Sequence, residues 1–145
     1  MSEVVLLRSL DSLPAIYRVL ETETERVVAL RFTGDSTASD CIFMDEVLMR
    51  TVARVHRFGV VYAVDLRLVP QAAQRFGVQP WRTFSLQFFF RARPLKVDAG
   101  TGDTAHLTRP VSSVRQMVDL FEVVYRQAKR GKWLAVAPFR LSTGA

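Results

Sequence analysis

The sequence predicts an α/β protein in which helices cover both faces of a mixed central sheet. From about Arg26, apolar β-rich runs alternate with runs of helical periodicity, a pattern typical of parallel strands joined by crossover helices. Further on, two strands follow each other too closely for a crossover, which adds an antiparallel hairpin. With 145 residues and 49% hydrophobic content, we expect a single domain over residues 1–145, with 138–145 a loose C-terminal tail.

The opening elements are predicted from short local signals. Val4–Leu7 is an apolar, partly β-branched run that indicates a first strand. Asp11 or Ser12 can cap the next helix, and Pro14 then falls in the first turn, where its missing N–H costs least. Arg26–Phe32 is rich in valine and predicts a long strand that ends at a polar loop.

The middle of the chain continues the alternation. A helix is predicted over residues 40–57, with Asp40 as its N-cap. Phe58–Asp65 is almost entirely apolar, which indicates an interior strand covered on both sides. A short helix over Gln71–Phe76 should end at Gly77, because glycine readily adopts the left-handed conformation of a helix end.

The second half begins with the hairpin strands, Thr83–Phe90 and Leu95–Ala99, followed by a turn at Gly100–Asp103. In the last helix, Ser113 and Gln116 form a capping-box pattern. Its apolar stripe consists of Val114, Met117, Val118, Phe121, Val124, Tyr125 and Ala128. The helix should stop at Gly131, and the apolar run 133–137 should pack back on the fold.

The only cysteine, Cys41, lies where the polar loop meets the second long helix. This order of elements is the thioredoxin-like plan, whose redox members carry Cys-x-x-Cys here: one thiolate attacks a disulfide and the other resolves it. Ala38 stands at the attacking position. Cys41 precedes Met44 by three residues on the core-facing stripe, so we expect a buried structural thiol and no dithiol redox enzyme.

Other chemistry-bearing residues do not form a recognisable catalytic set. Asp35, Asp40, Asp45 and Glu46 lie near one loop, but no phosphate loop, histidine pair or serine elbow accompanies them, so structural roles are favoured. His56 has no second ligand nearby. We predict no catalytic residue, no cofactor and no metal ligand.

The charge of the chain fits either acidic or phosphate-rich partners or an ordinary solvated surface, and both interpretations stay open. The net charge is +6, the pI is about 10.2, and 17 of the 20 basic residues are arginine. The longest run without a charged residue is eight residues, against about 20 needed to cross a bilayer, and the first residues lack the pattern of a secretory signal. A single cysteine fits a reducing compartment, so we expect a cytosolic or nuclear protein.

A set of short runs between about Glu25 and Ser142 matches one protein family, and Met44–Leu48 and the final helix are its most specific parts. In the final helix and at its end the matching runs are Met117–Asp119, Val124–Arg126 and Arg130–Gly131. The other runs are Arg26–Val28, Arg31–Phe32, Cys41, Val61–Asp65, Val69–Pro70, Phe88–Arg91 and Gly100–Gly102. With them the chain resembles the Dim family, thioredoxin-like proteins of the spliceosome that belong to the U-five particle and the tri-snRNP.

The resemblance implies a nuclear, non-enzymatic scaffold needed for pre-mRNA splicing. It implies contacts with spliceosomal proteins of the tri-snRNP, with RNA nearby. We expect a monomer within a larger complex. Two departures stand out: the loop before Cys41 is one residue longer than in the family, and the segment Pro80–Gln87 is longer before the phenylalanine triplet. Thioredoxins place a cis-proline at this point, and the altered spacing leaves the isomer of Pro80 open.

The basic end of the last helix is the predicted partner-binding patch, because arginine and tryptophan are favoured at interface hot spots. Its members are Arg126, Lys129, Arg130, Lys132 and Trp133. The same cations would also compensate the negative helix end, and both interpretations stay open. Two alternative functions remain: direct RNA binding through the arginines and Trp81, and a single-cysteine thiol enzyme using Cys41.

Overall fold

The computed structural model describes residues 7–141, which form one mixed sheet with helices on both faces. The strands are β1 (Arg8–Ser9), β2 (Val27–Thr33), β3 (Gly59–Asp65), β4 (Ser85–Phe90), β5 (Arg93–Asp98) and β6 (Leu134–Val136). The helices are α1 (Leu13–Thr22), α2 (Ser39–Val55), α3 (Gln71–Phe76) and α4 (Val114–Lys129). None of the helices within this described part is long and apolar enough to cross a membrane.

The sheet has the order β1-β3-β2-β4-β5-β6. β2 pairs in parallel with β3 along its whole length and antiparallel with β4, and β5 returns antiparallel to β4. Arg91 and Ala92 form the two-residue hairpin turn, with φ of 52° and 68°, as a type I′ turn requires. The predicted mixed sheet and its hairpin are therefore confirmed.

Two apolar cores lie on opposite faces of the sheet. Helices α2 and α4 cover one face and α1 and α3 cover the other. The phenylalanine triplet of β4 alternates between them: Phe88 and Phe90 enter the first core and Phe89 enters the second. A run of three aromatic residues is thus fully buried because both faces of its strand are covered.

The first described strand, β1, lies just after the predicted opening strand Val4–Leu7. Residues 4–6 of the predicted opening strand lie outside the described residues. The described strand β1 pairs in parallel with β3. Of the two candidate caps, Ser12 caps α1, its Oγ accepting the N–H of Ala15 at 3.1 Å.

The predicted N-cap of α2 is wrong. The helix begins at Ser39, its cap is Ala38, and no side chain caps it. Asp40 lies inside the first turn, where its carboxylate accepts the N–H of Cys41 at 2.9 Å and the hydroxyl of Thr83. The contact with Thr83 comes from a distant loop, so the local sequence signal could not reveal it.

The C-terminal part confirms the predicted helix and extends the sheet. Ser113 caps α4, accepting the N–H of Gln116 at 3.1 Å, and Gly131 has a φ of 77° after the helix end. Leu120, outside the predicted stripe, is also fully buried, because α4 packs against both the sheet and α2.

The segment after α4 adds β6, which pairs in parallel with β5. The sequence predicts a loose tail from residue 138, but residues up to 141 are attached to the sheet. The N–H of Leu141 donates to the carbonyl of Ala99 at 2.9 Å, and Arg140 pairs with Asp98 at 2.9 Å. These contacts with β5 and the residue after it explain the difference; residues 142–145 lie outside the description.

Candidate functional site

The thiol of Cys41 is buried in the first turn of α2, with 0% of the residue exposed. Burial raises the pKa of the thiol, and the positive charge of Arg31 and a hydrogen bond with Thr33 only partly oppose this. The thiolate, which is the reactive form, is therefore disfavoured. The predicted buried structural cysteine is confirmed, and Ala38 stands at the position of a redox partner.

A buried ion pair lies beside this thiol. Arg31, in the middle of β2, is 5% exposed, and its Nε and Nη2 donate to the two carboxylate oxygens of Asp45 at 2.8 and 3.0 Å. Burial raises the pKa of Asp45, whereas the guanidinium acts to lower it. The pair joins β2 to α2. A charged residue inside an otherwise apolar strand was the one sequence signal for it.

The four carboxylates near the loop all have structural partners. Asp35 accepts hydrogen bonds from Thr37, which are the main reason why its pKa is lowered. The other contacts are Arg67 with Asp35, Thr83 with Asp40, Arg31 with Asp45 and Arg50 with Glu46. The prediction that these groups serve the fold agrees with this geometry. His56 is exposed at the end of α2, away from them.

The loop before β4 packs against the loop that follows β2. The N–H of Gly34 donates to the carbonyl of Arg82 at 2.7 Å, and the hydroxyl of Thr33 donates to the carbonyl of Thr83 at 2.8 Å. A Cβ on Gly34 would lie 2.0 Å from the carbonyl oxygen of Pro80. Only glycine therefore allows the two backbones to approach this closely.

The same loop presents an aromatic ring to solvent. The peptide bond before Pro80 is trans, which settles the isomer that the sequence left open. Trp81 follows and is 67% exposed, with the guanidinium carbon of Arg82 4.6 Å from its ring centroid. In place of a reactive thiol pair, this end of the sheet therefore carries an exposed tryptophan and an arginine.

The predicted partner patch divides into two parts. Arg126, Lys129 and Arg130 are exposed and line an open groove of about 610 Å³. Its other lining residues are Phe58, Glu122 and Tyr125. The groove therefore has an aromatic side and a basic rim, and a partner could use both.

The other two predicted members lie beyond the helix end and do not line this groove. Lys132 is exposed, whereas Trp133 is partly buried and the guanidinium carbon of Arg93 lies 3.7 Å from its ring centroid. Sequence reasoning missed the aromatic residues of the groove, Phe58 and Tyr125, whose ring centroids are 5.2 Å apart. Tyr125 was assigned to the core stripe, and its position at the edge of that stripe was the available signal.

Comparisons with known proteins identify relatives over nearly the whole described chain. A family model described as "Mitosis protein DIM1" matches residues 6–141. "Spliceosomal protein DIB1" of Eremothecium gossypii is 34% identical over 122 residues, 84% of this chain and 83% of that protein. "Mitosis protein dim1" of Schizosaccharomyces pombe is also 34% identical over 122 residues, 84% of each chain.

Among solved structures, thioredoxin from Fasciola hepatica superposes with a TM-score of 0.62 at 11% identity, covering 77% of this chain and 96% of that one. At this identity the likeness bears on the fold alone. It confirms the predicted thioredoxin-like architecture.

Proposed function

We propose that this chain, which belongs to the family described as "Mitosis protein DIM1", is a thioredoxin-like component of the pre-mRNA splicing machinery. Relatives with about one third identical residues carry the name "Spliceosomal protein DIB1", and they cover most of this chain. The resemblance that the short sequence runs predict leads to the same family. A place in splicing implies that the protein works in the nucleus.

The protein acts as a scaffold and not as an enzyme. The single observation that carries this proposal is the fully buried Cys41 with Ala38 in place of a partner thiol. Disulfide exchange needs a thiolate that reaches its substrate, and this thiol is neither exposed nor inclined to ionise. What remains for function is the outer surface of the fold.

The contact surface for spliceosomal proteins of the tri-snRNP is the basic groove at the end of α4. Arg126, Lys129 and Arg130 project around Phe58 and Tyr125, so the groove combines charge with aromatic area. Interface hot spots are enriched in arginine and aromatic residues, and this combination supports the assignment. The protein enters the assembly as a monomer that binds an acidic, partly apolar surface.

Affinity purification from nuclear extract tests both levels of the proposal. The tagged full chain should recover spliceosomal proteins and small nuclear RNAs; recovery of neither would remove the splicing function. The double variant Arg126→Glu/Arg130→Glu should lose these proteins, because repulsion replaces attraction at the groove. The matched control Arg18→Glu/Arg75→Glu makes the same charge change on exposed residues of α1 and α3, and it should retain them.

Thermal unfolding must confirm that both double variants are folded before the recoveries are compared. Equal loss in the two variants would mean that net charge, and not the groove, determines binding. Equal retention would place the contact surface elsewhere on the molecule while leaving the splicing function intact.

A further inference from the structure

We propose that a partner protein docks an amphipathic helix on the open face of β5 and β6 and inserts a tryptophan or tyrosine side chain into the cavity beside it. The layer formed by α1 and α3 ends at β4: Phe89 belongs to the core under these helices, and among the described residues none of β5 or β6 does. The cavity lies at the margin of that layer, between the two helices and the hairpin of β4 and β5. Two outer strands of the sheet therefore have a bare face on this side.

The register of the strands shows which side chains share the open face. Pro94 pairs with Phe89 and therefore lies on the same side of the sheet, and Lys96 is two residues further along β5. Leu134 lies opposite Lys96, and Val136 follows it on the same side. Leu134 and Val136 are 51% and 52% exposed. The open face therefore presents aliphatic side chains with nothing packed on them in the described chain.

The dimensions of this face fit one helix. Two strands spaced about 4.8 Å apart offer a surface about 10 Å wide, which is the diameter of a helix with its side chains. β5 has six residues and is about 20 Å long, enough for about 13 helical residues. A sheet face offers no backbone hydrogen bonds, so the docking segment must satisfy its own N–H and C=O groups, as a helix does. A helix is therefore favoured over an extended peptide, which would need a strand edge.

One uncompensated charge on the face indicates an acidic residue in the partner. Lys96 is exposed beside Pro94 and Leu134, and it forms no ion pair with another residue of the described chain. Asp98, at the end of β5 on the same side, is already paired with Arg140 at 2.9 Å. A carboxylate on the docking helix would therefore pair with Lys96, next to the apolar residues that pack on Leu134.

The cavity at the edge of this face measures about 360 Å³ and has three aromatic walls. They are Tyr17 of α1, Phe76 of α3 and Phe89 of β4. The ring centroid of Phe76 lies 6.1 Å from that of Tyr17 and 5.8 Å from that of Phe89. Pro94 lines the cavity and also belongs to the open face, so one partner segment can reach both. Rings pack well on rings, and aromatic side chains are the usual anchors of interfaces.

A buried glutamine in the cavity lining selects among the possible anchors. Gln87 is 8% exposed, and its amide oxygen accepts no hydrogen bond from the described residues. The terminal amide torsion is soft, so this oxygen can turn to a donor that enters the cavity. Tryptophan and tyrosine combine a ring with such a donor, whereas phenylalanine would leave the oxygen unpaired. Glu21 and Arg75, the charged residues of the lining, have opposite charges, so the cavity favours a neutral side chain over an ion.

The cavity is tested by NMR titration of the full-length protein with N-acetyltryptophanamide as the probe. The signals of Gln87 and of the cavity walls should shift. The analogue methylated at the indole nitrogen lacks the donor and should bind at least about 5-fold more weakly, because the glutamine oxygen stays unpaired. Gln87→Leu has no acceptor, so it should bind both probes equally. The same variant removes a buried unpaired oxygen, and thermal unfolding should show that it is at least as stable as the wild type.

The docking helix is tested by photo-crosslinking in nuclear extract, with p-benzoylphenylalanine in place of Leu134 in the full chain. Mass spectrometry should identify a segment of a partner protein with the sequence pattern of an amphipathic helix that carries a tryptophan or tyrosine and a carboxylate. Lys96→Glu should reduce the yield of this crosslink, because repulsion replaces attraction. The same photo-probe in place of Ile42, which is 57% exposed on α2, is the matched control and should not capture the segment.

Several results would overturn the proposal. In the titration they are no shift of the cavity signals, or equal affinity of the wild type for the two probes. In the crosslinking they are no product from Leu134, a product with a second copy of this chain, or a segment that lacks the ring or the carboxylate. The proposal does not rest on the splicing function or on the α4 groove, because α4 covers the opposite face of the sheet and the titration uses the isolated protein. The two can therefore fail independently.

Discussion

Replacing Gly34 with alanine should separate the loop after β2 from the loop before β4. The new Cβ would lie 2.0 Å from the Pro80 carbonyl oxygen and 3.3 Å from that of Arg82, and both atoms are backbone. An ordinary contact of this kind needs more than 3 Å, so one loop must move by over an ångström. That movement would break the 2.7 Å hydrogen bond between Gly34 and Arg82.

The cost follows from two contributions. Overpacking a tight site costs about 1 to 3 kcal/mol, and a lost backbone hydrogen bond adds about 1 kcal/mol. We therefore expect Gly34→Ala to lower the free energy of unfolding by about 2 to 4 kcal/mol. Backbone conformation adds nothing, because the left-handed φ values belong to other glycines: Gly77, Gly100, Gly102 and Gly131.

Equilibrium unfolding in urea measures this change. The midpoint should fall while the m-value stays constant, since the surface exposed on unfolding is nearly the same. Ser36→Ala, an exposed position two residues along the same loop, is the control and should change stability by less than about 0.5 kcal/mol. A Gly34→Ala protein as stable as Ser36→Ala would refute the reasoning, because the loops would then separate at no cost.

Other positions give predictions of the same kind. Phe121→Asp buries a charge at a fully buried site and should cost more than about 4 kcal/mol, so circular dichroism should show an unfolded chain; a folded variant contradicts the core assignment. Asp45→Ala leaves the buried Arg31 without its partner and should lower the free energy of unfolding in urea by about 3 kcal/mol. Glu46→Ala, in an exposed pair, should lower it by less than about 0.5 kcal/mol. Equal effects would contradict the difference between a buried and an exposed ion pair. Cys41 should react with a thiol reagent only on unfolding, and insulin reduction should be absent in wild type and Cys41→Ala alike; fast labelling of the native protein argues against burial. The pKa of Asp98 is lowered in the folded protein, first by a hydrogen bond from the backbone N–H of Gly100. The carboxylate therefore stabilises the fold at pH values above its unfolded pKa, and this effect is lost as the pH falls through its lower folded pKa. Asp98→Asn should make the melting temperature depend less on pH over this acid range, and an unchanged pH dependence would show that Asp98 does not contribute.

Elements defined by local signals were predictable from the sequence. The last helix carries its own cap at Ser113, its own apolar periodicity and a glycine stop at Gly131, and the structure places all three as expected. The same holds for α3, which ends at Gly77 with a φ of 68°. Such signals act within a few residues, so they read correctly without knowledge of the fold.

Features that depend on distant partners were not predictable. Asp40 was predicted as an N-cap because aspartate caps helices well. Its carboxylate instead accepts a hydrogen bond from the hydroxyl of Thr83, which lies 43 residues away in sequence. Arg31 and Asp45 are 14 residues apart and meet only because α2 packs across β2. The attachment of residues 138–141 likewise depends on hydrogen bonds to the end of β5 and the residue after it, and the sequence of the tail alone contains no signal for these contacts.

The candidate sites also combine residues that the sequence locates with residues that only the folded chain brings together. Composition and helix periodicity locate the cations of the α4 groove, because helical spacing fixes their relative positions. The aromatic residues Phe58 and Tyr125 come from two different elements, and only the folded chain shows them side by side. Likewise, Trp81 was visible in the sequence, but its exposure and its contact with Arg82 depend on the loop geometry.

β6, the last strand to be synthesised, covers the free edge of β5. β5 can form its hairpin with β4 once Asp98 has been made, yet its other edge finds a partner only when Leu134–Val136 has been made, after the whole of α4. Chains are made from the N-terminus, so a nascent chain holds an open strand edge for as long as α4 takes to emerge. Open edges pair readily with other chains, so this edge of β5 is a site of aggregation in a chain that ends before β6.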